Sequence, residues 1–327
     1  MEAFVMSDIS GVISPCITLF KEDGSVDEPA TLDLWTYFFA NGVDGLFVTG
    51  SYGLGPLMTN DERLSLFKVA VKAREKFPDR KLIAHVGAAD TKSAVELATQ
   101  AEALGFDAVA AVAPWYNKYS EDLIFDYFKT IIQSVNIPTY AYNNPKTSGF
   151  MFTLDFVKKL QAVGLKGLKD ASVDFKFLSS VFYDAKLNHK DFHVILGTEN
   201  CWLTWSQMGG DTIIGGMTNY VPDVDYKIKK IFETNNYEAK IKAYTLATNF
   251  RKQILFTDST ISSHVALKAE GRYAGFSRAP MEVPYTDEHI NNAKKLITGI
   301  RRDIDALIKE YNFDIPEPET LSTASAK

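Results

Sequence analysis

Short apolar runs alternate with longer amphipathic stretches along residues 11–217. The short runs are GVISPCIT (11–18), GLFVTG (45–50), LIAHVG (82–87), AVAAVAP (108–114), PTYAYN (138–143), LKGLKD (165–170), FHVILG (192–197) and TIIGGM (212–217). Their apolar residues barely alternate with polar ones, as expected of parallel strands covered on both faces. The stretches between them carry helix-opening residues. Glu28-Pro29, Thr59-Asn60-Asp61, Asp90, Ser120 and Thr153 each stand just before an amphipathic segment, where side-chain oxygens satisfy free backbone amides. Further helices are expected around 174–188 and 199–208.

Eight such units predict a (β/α)8 TIM barrel. An open doubly wound sheet would want a glycine-rich phosphate turn after its first strand, and SPCITLFKEDG (14–24) is not one. After Met217 the alternation stops, and 223–270 and 286–311 have helical patterns. The expected organisation is a barrel over 1–220 and a helical C-terminal region over 221–311 packed on it. A tail over 312–327 is polar and proline-containing and is expected to be disordered.

Composition narrows the function classes. The net charge of −6 favours neither nucleic acid nor an anionic membrane as a partner. Cys16 and Cys201 are the only cysteines, which excludes a disulfide scaffold and suits a reducing compartment. The segment MEAFVMSDIS lacks a signal-peptide profile, and no apolar run approaches ~20 residues. A cytoplasmic protein is expected. No cluster of His and carboxylates stands at metal-ligand spacing, and no Lys or Arg stands near the strand 7 and 8 turns to hold a phosphate.

Barrel active sites lie at the C-terminal ends of the strands. The segment GLKGLKDASVD (164–174) places Lys169 at the last positions of a buried strand. Lys166, three residues earlier, falls on the opposite face at the strand's start. A lysine pointing inward at the mouth is desolvated, which lowers its pKa. A neutral amine can form a Schiff base with a carbonyl. The competing reading is an ion pair with Asp170 or Glu199. Tyr142 and Ser51 fall on the same rim and could relay protons. The turn TGSYGLGP (49–56) also carries Tyr52 and three glycines, Gly53 among them, that let backbone amides approach a ligand.

The motifs GSYGLGP, PWYNKYS, YNNP, GLKDAS and GGDTIIGG, in this order and spacing, resemble the pyruvate-dependent class I aldolases. That family includes dihydrodipicolinate synthase, N-acetylneuraminate lyase and 2-keto-3-deoxygluconate aldolase. The resemblance implies that Lys169 is the Schiff-base lysine and Tyr142 the proton-shuttling tyrosine. Ser51 matches the hydroxyl residue of the family's glycine-flanked turn. Tyr116 matches a tyrosine that members insert into a neighbouring subunit's site. Amides around Ser51, Tyr52 and Gly53 would bind the pyruvate carboxylate, and Gly197 and Ile214 would line the lysine pocket with backbone. No cofactor or metal is implied, because the iminium is the electron sink. The implied partners are pyruvate and an aldehyde, and the implied assembly is a homotetramer built as a dimer of dimers.

Departures bear on the substrate. Dihydrodipicolinate synthases carry an arginine five residues after the strand-5 tyrosine, and here that position is Thr147, beside Lys146. Lysine lacks the bidentate fork of arginine. The GLGP stretch and GFSRAP (275–280) are similar to the 2-keto-3-deoxygluconate aldolase branch. The expected reaction is reversible cleavage of a 2-oxo-4-hydroxy acid, a 2-keto-3-deoxy sugar acid, to pyruvate and an aldehyde. Condensation like that of dihydrodipicolinate synthase or N-acetylneuraminate lyase, a sugar-acid dehydratase using the same imine, and a non-catalytic 2-oxo acid-binding barrel are the alternatives. Tyr52 replaces the turn's usual threonine. Shaping the pocket, joining the relay and packing outward are all open to it. His85, at the end of the third strand, is either a hydrogen-bonded layer residue or a substrate contact.

Overall fold

The computed structural model describes residues 9–273, 277–282 and 285–318. The first eight residues, Gly275 and Phe276 of the GFSRAP motif, and residues 319–327 of the tail lie outside the described residues. The strands are β1 (Gly11–Ser14), β2 (Gly45–Val48), β3 (Lys81–His85), β4 (Ala108–Val112), β5 (Thr139–Asn143), β6 (Gly167–Asp170), β7 (His193–Leu196) and β8 (Thr212–Ile214). They pair in parallel in sequence order and close, β8 against β1. This is the (β/α)8 TIM barrel that the hydrophobic pattern predicts.

Each strand lies within or close to its apolar run, and most stop short of its end. β1 ends at Ser14 because Pro15 has no amide to continue the ladder. β8 ends at Ile214 because Gly216–Asn219 winds into a 3-10 turn. The residues left over at the strand ends form the rim of the barrel mouth.

The barrel helices are α1 (Glu28–Ala40), α2 (Asn60–Arg74), α3 (Thr91–Ala103), α4 (Glu121–Ser134), the one-turn α5 (Pro145–Ser148), α6 (Leu154–Gln161), α7 (Phe175–Asn188) and α8 (Trp202–Gln207). Thr59, Asp90, Ser120 and Thr153 each accept a backbone amide at the start of α2, α3, α4 and α6. The sheet has two apolar faces. Val12, Leu46, Ala84, Val109, Ala141, Leu168 and Val194 face the helices. Ile13, Phe47, Ile83, Ala110, Tyr140, Tyr142, Ile195 and Ile214 fill the barrel interior.

Beyond β8 the chain is helical: α9 (Pro222–Glu233), α10 (Tyr237–Ile254), α11 (Ser259–Ala269) and α12 (Asp287–Glu310). Arg301 on α12 pairs with Asp223 of α9 and Glu270 after α11, at 2.8 Å each. Arg278 binds Glu62 at 2.5 Å and the carbonyls of Gly24 and Leu57, tying the segment after α11 to the start of α2. Phe313 and Ile315, beyond α12, pack against the main apolar cluster. No helix among the described residues is long and apolar enough to cross a membrane.

Candidate active site

β6 alternates as a strand must. Leu168 and Asp170 point toward the helices. Asp170 accepts Asn143 Nδ2 at 2.6 Å and Ser172 Oγ at 3.0 Å, and burial pushes its carboxyl up to about 6. Lys169 points inward and is 4% exposed. Its Nζ lies 3.8 Å from the ring centroid of Phe47 and 4.0 Å from that of Tyr142. Neither expected counter-ion is there, since Asp170 faces away and Glu199 is paired elsewhere. No carboxylate among the described residues forms an ion pair with Lys169. Ring faces attract the ammonium, but desolvation outweighs them, and the lysine is pushed down to about 7. Lys166, by contrast, is half-exposed and pairs with Asp191 at 3.0 Å.

The register of β5 against β6 sets Tyr142 directly beside Lys169. The Tyr142 hydroxyl accepts from Asn144 Nδ2 at 3.1 Å and faces the Ser51 hydroxyl. Burial pushes the phenol up to about 12, so it stays a proton donor at neutral pH. Its ring meets Phe47 and His85 edge-on. Cys16 closes the floor, its thiol donating to the Phe47 carbonyl at 3.4 Å, and burial pushes that thiol up. His85 is buried and held neutral by burial, by Arg63 and by Lys169. Arg63 stands behind it, donating to the carbonyls of His85 and Gly87.

The turn after β2 is shaped by two left-handed residues, Thr49 (φ 56°) and Leu54 (φ 55°). Backbone of this kind in a non-glycine residue is strained and must be held by its surroundings. Thr49 is held by its hydroxyl, which donates to the His85 carbonyl at 3.0 Å. The turn sends Tyr52 across the mouth. The Tyr52 hydroxyl meets Ser259 and Arg251, and burial beside Glu199 pushes it up to about 12. A Cβ at Gly216 would fall 2.3 Å from that hydroxyl, so any other residue there would have to push Tyr52 aside.

The far wall is polar. Glu199, 4% exposed, accepts the Met217 amide at 2.8 Å and pairs with Arg251 Nε at 3.2 Å. Arg251 also donates to Asn200 Oδ1 at 2.8 Å. Burial opposes the Arg251 charge, but Glu199 outweighs it and keeps the guanidinium above its ordinary range.

These residues surround one cleft of about 720 Å³. Of the candidates from sequence, Ser51, Tyr52, Tyr142, Lys169, Gly197 and Ile214 line it, as do Lys146 and Thr147 at the rim. Two do not. Gly53 sits behind the turn, its carbonyl taken by Thr18 Oγ1 at 2.8 Å, and a Cβ there would press on the Cys16 carbonyl. It therefore shapes the turn. Tyr116 is 95% exposed with φ 81°, and it is its neighbour Trp115 that lines the cleft. Sequence reasoning missed Phe47, which period-2 counting along GLFVTG could have placed inward. It also missed Arg251, Asp258, Ser259 and Thr260 from the α10–α11 junction, for which the sequence holds no signal.

Residues 8–300 match the model of the dihydrodipicolinate synthetase family. The chain belongs to that family. It is a lyase of that family. A 4-hydroxy-tetrahydrodipicolinate synthase of Halalkalibacterium halodurans is 27% identical over 283 residues, covering 86% of this chain and 94% of the relative. An uncharacterised DapA-like lyase of Pyrococcus horikoshii is 31% identical over 261 residues, covering 75% of this chain and 88% of the relative. Among solved structures, CdNal of Clostridium difficile in complex with mannosamine superposes with a TM-score of 0.82 at 27% identity, covering 90% of this chain and 99% of that one. A variant of the Sulfolobus solfataricus 2-keto-3-deoxygluconate aldolase superposes with a TM-score of 0.80 at 27% identity, covering 92% and 98%. Family membership thus agrees with the motifs, while the relatives' names span several substrates.

Proposed function

We propose that the chain is a Schiff-base aldolase that reversibly cleaves a 2-oxo-4-hydroxy acid, of the 2-keto-3-deoxy sugar acid type, to pyruvate and an aldehyde. The carrying observation is Lys169: a buried amine with no ion-pair partner among the described residues, held near neutrality between two aromatic rings. Burial favours its unprotonated form, which is what nucleophilic attack on a carbonyl needs.

In the synthetic direction Lys169 Nζ adds to C2 of pyruvate. The carbonyl oxygen takes one proton from the attacking amine and a second from Tyr142, which is within reach of Ser51, and leaves as water. The Tyr142 phenolate then takes a proton from C3, which turns the iminium into an enamine and restores the phenol. C3 then bonds to the aldehyde carbon, and the new alkoxide takes a proton. Hydrolysis releases the 2-oxo-4-hydroxy acid and restores the amine. Amides of Ser51 and Tyr52 hold the carboxylate, as backbone donors in a glycine-flanked turn can. Tyr116, 95% exposed, is suited to complete the site of a second copy. The chemistry calls for no metal, since the iminium accepts the electrons. Thr147, where a dihydrodipicolinate synthase has arginine, speaks against a carboxylate clamp at that position.

The test is borohydride reduction in the presence of pyruvate, read by intact mass, on the wild type and Lys169→Ala. The expected result is a reduced pyruvate adduct on the wild type alone. Wild type without an adduct would sink the Schiff-base reading. Pyruvate release from 2-keto-3-deoxygluconate then separates an enzyme from a barrel that only binds 2-oxo acids.

A further inference from the structure

On the aldolase reading, pyruvate joined to Lys169 fills only the floor of the cleft, beside Tyr142. The space continues past Tyr52 to a wall built by the C-terminal helices, where Arg251, Asp258, Ser259 and Thr260 line it beside Thr198, Glu199 and Asn200. We propose that Arg251 and Ser259 are specificity-determining residues, and that they read a neutral, polyhydroxylated end of the aldehyde-derived chain. This rests on the aldolase reading above.

Charge balance decides what the wall takes. Arg251 is not a free cation. Glu199 holds its Nε at 3.2 Å and Asn200 takes Nη1 at 2.8 Å. A carboxylate on the substrate would lose the bidentate approach that makes arginine a good clamp. It would also lie against the buried Glu199 carboxylate, and like charges in a poorly solvated site repel strongly. A hydroxyl meets neither obstacle. It can accept from the guanidinium N–H groups still facing the cleft and donate to Glu199 or to the Ser259 hydroxyl. The Asp258 carboxylate is engaged in capping α11, accepting the Thr260 amide at 2.8 Å, which fixes Ser259 at the cleft edge. Tyr52, whose hydroxyl meets both Ser259 and Arg251, separates this wall from the lysine floor. Arg251 pairs with Glu199 and Tyr244 of the same helix donates to the Asn200 carbonyl, so the helical wall is docked on the loop after β7.

The test compares wild type, Ser259→Ala and Arg251→Lys. Arg251→Lys keeps the charge opposite Glu199, and Ser259→Ala removes only a hydroxyl, so folding is preserved in at least one. Pyruvate release is measured from 2-keto-3-deoxygluconate, from the truncated 4-hydroxy-2-oxobutanoate, and from 4-hydroxy-2-oxoglutarate, which ends in a carboxylate. For the sugar acid, each variant is expected to lose about five- to tenfold in kcat/KM, mostly through KM, the scale of one or two lost hydrogen bonds. The truncated substrate should be unaffected, and wild type should prefer the sugar acid to the dicarboxylate. An equal loss on long and short substrates would overturn the proposal, as would a wild-type preference for the dicarboxylate that Arg251→Lys abolishes. Absence of sugar-acid cleavage by protein that still traps pyruvate would overturn it as well. Trapping on Lys169 in parallel tells the two failures apart: without it the aldolase reading falls, and with it only the assignment of the wall does.

Discussion

Two cations face the same cleft, Lys169 buried and Arg251 about a fifth exposed, and they are treated in opposite ways. Lys169 on the barrel floor is given aromatic rings and no counter-ion, and its pKa falls to about 7. Arg251 on the helical wall is given Glu199 and Asn200, and its charge is secured. Burial lowers the pKa of either group. What differs is whether a carboxylate offsets the desolvation. The floor thus holds a group made reactive at the expense of stability, and the wall holds a group kept charged and fixed in place.

Removing each cation should therefore move activity and stability in different patterns. Lys169→Met is expected to cost roughly four or more orders of magnitude in pyruvate release, since the nucleophile is gone. It should also stabilise the fold at pH 7. Unfolded, the lysine titrates near 10.5, and folded near 7. Between these values the unfolded chain binds a proton that the folded chain does not, so wild-type stability falls as pH drops from 10.5 to 7 and levels off below. Methionine removes that dependence and should gain a few kcal/mol at neutral pH, order of magnitude, read as a higher thermal midpoint. A lower midpoint at pH 7 would mean that the lysine is charged and structural.

Tyr142→Phe comes next. It keeps the ring that meets Phe47 and His85 edge-on and loses only the proton donor. The expected loss is about 10²- to 10⁴-fold in kcat, with little change in stability. In wild type the rate of pyruvate trapping should climb as pH rises through about 7, following the free amine of Lys169. In Tyr142→Phe the same midpoint should persist at a lower rate, because the phenol supplies protons and does not set the lysine's charge.

The floor was legible in the sequence and the wall was not, for a physical reason. Lys169 announces itself because strand periodicity is local. A charged residue at the inward-facing end of an apolar run is a contradiction that eleven residues display. Tyr142 follows from the same period in the adjacent strand, and Ser51 from a glycine-rich turn at a strand's end. The closed barrel was legible on the same basis, from eight apolar runs with helical stretches between them. Arg251 shows no such contradiction. It stands among Lys252 and Gln253 at the end of an amphipathic helix, where a basic residue complements the helix dipole. Only the docking of α10 onto the loop after β7 turns it toward the cleft, and that is a tertiary fact. Gly53 belongs to the turn that carries Ser51 and Tyr52 to the cleft, but its own backbone faces Thr18 and Cys16.

Arg251→Met sharpens the contrast on the wall side. It leaves Glu199 buried without its cation, with only the Met217 amide to satisfy it. The expected effect is a loss of about 2–3 kcal/mol in stability, opposite in sign to Lys169→Met. Double replacement of Glu199 and Arg251 by Gln and Met should recover much of that loss, since no unpaired charge remains. Thermal melts of the three variants decide it. A single variant as stable as wild type would show that the pair is solvated in solution.

The smallest expected effect falls on Tyr52, which stands between the two regions. Its hydroxyl meets Ser259 and Arg251, and it lies close enough to Tyr142 for a charge on it to raise that phenol's pKa. If it belongs to the wall, Tyr52→Phe removes one hydrogen-bonding hydroxyl, about 1 kcal/mol. Sugar-acid KM would then rise a few-fold, and pyruvate trapping would keep both its rate and its pH midpoint. If it belongs to the relay, trapping itself would slow by tenfold or more. The geometry favours the wall, because the hydroxyl's hydrogen-bond partners, Ser259 and Arg251, both come from the helical region, whereas Tyr142 already has Asn144 and Ser51. A slowed trapping step in Tyr52→Phe would move the boundary between chemistry and selection to the far side of this residue.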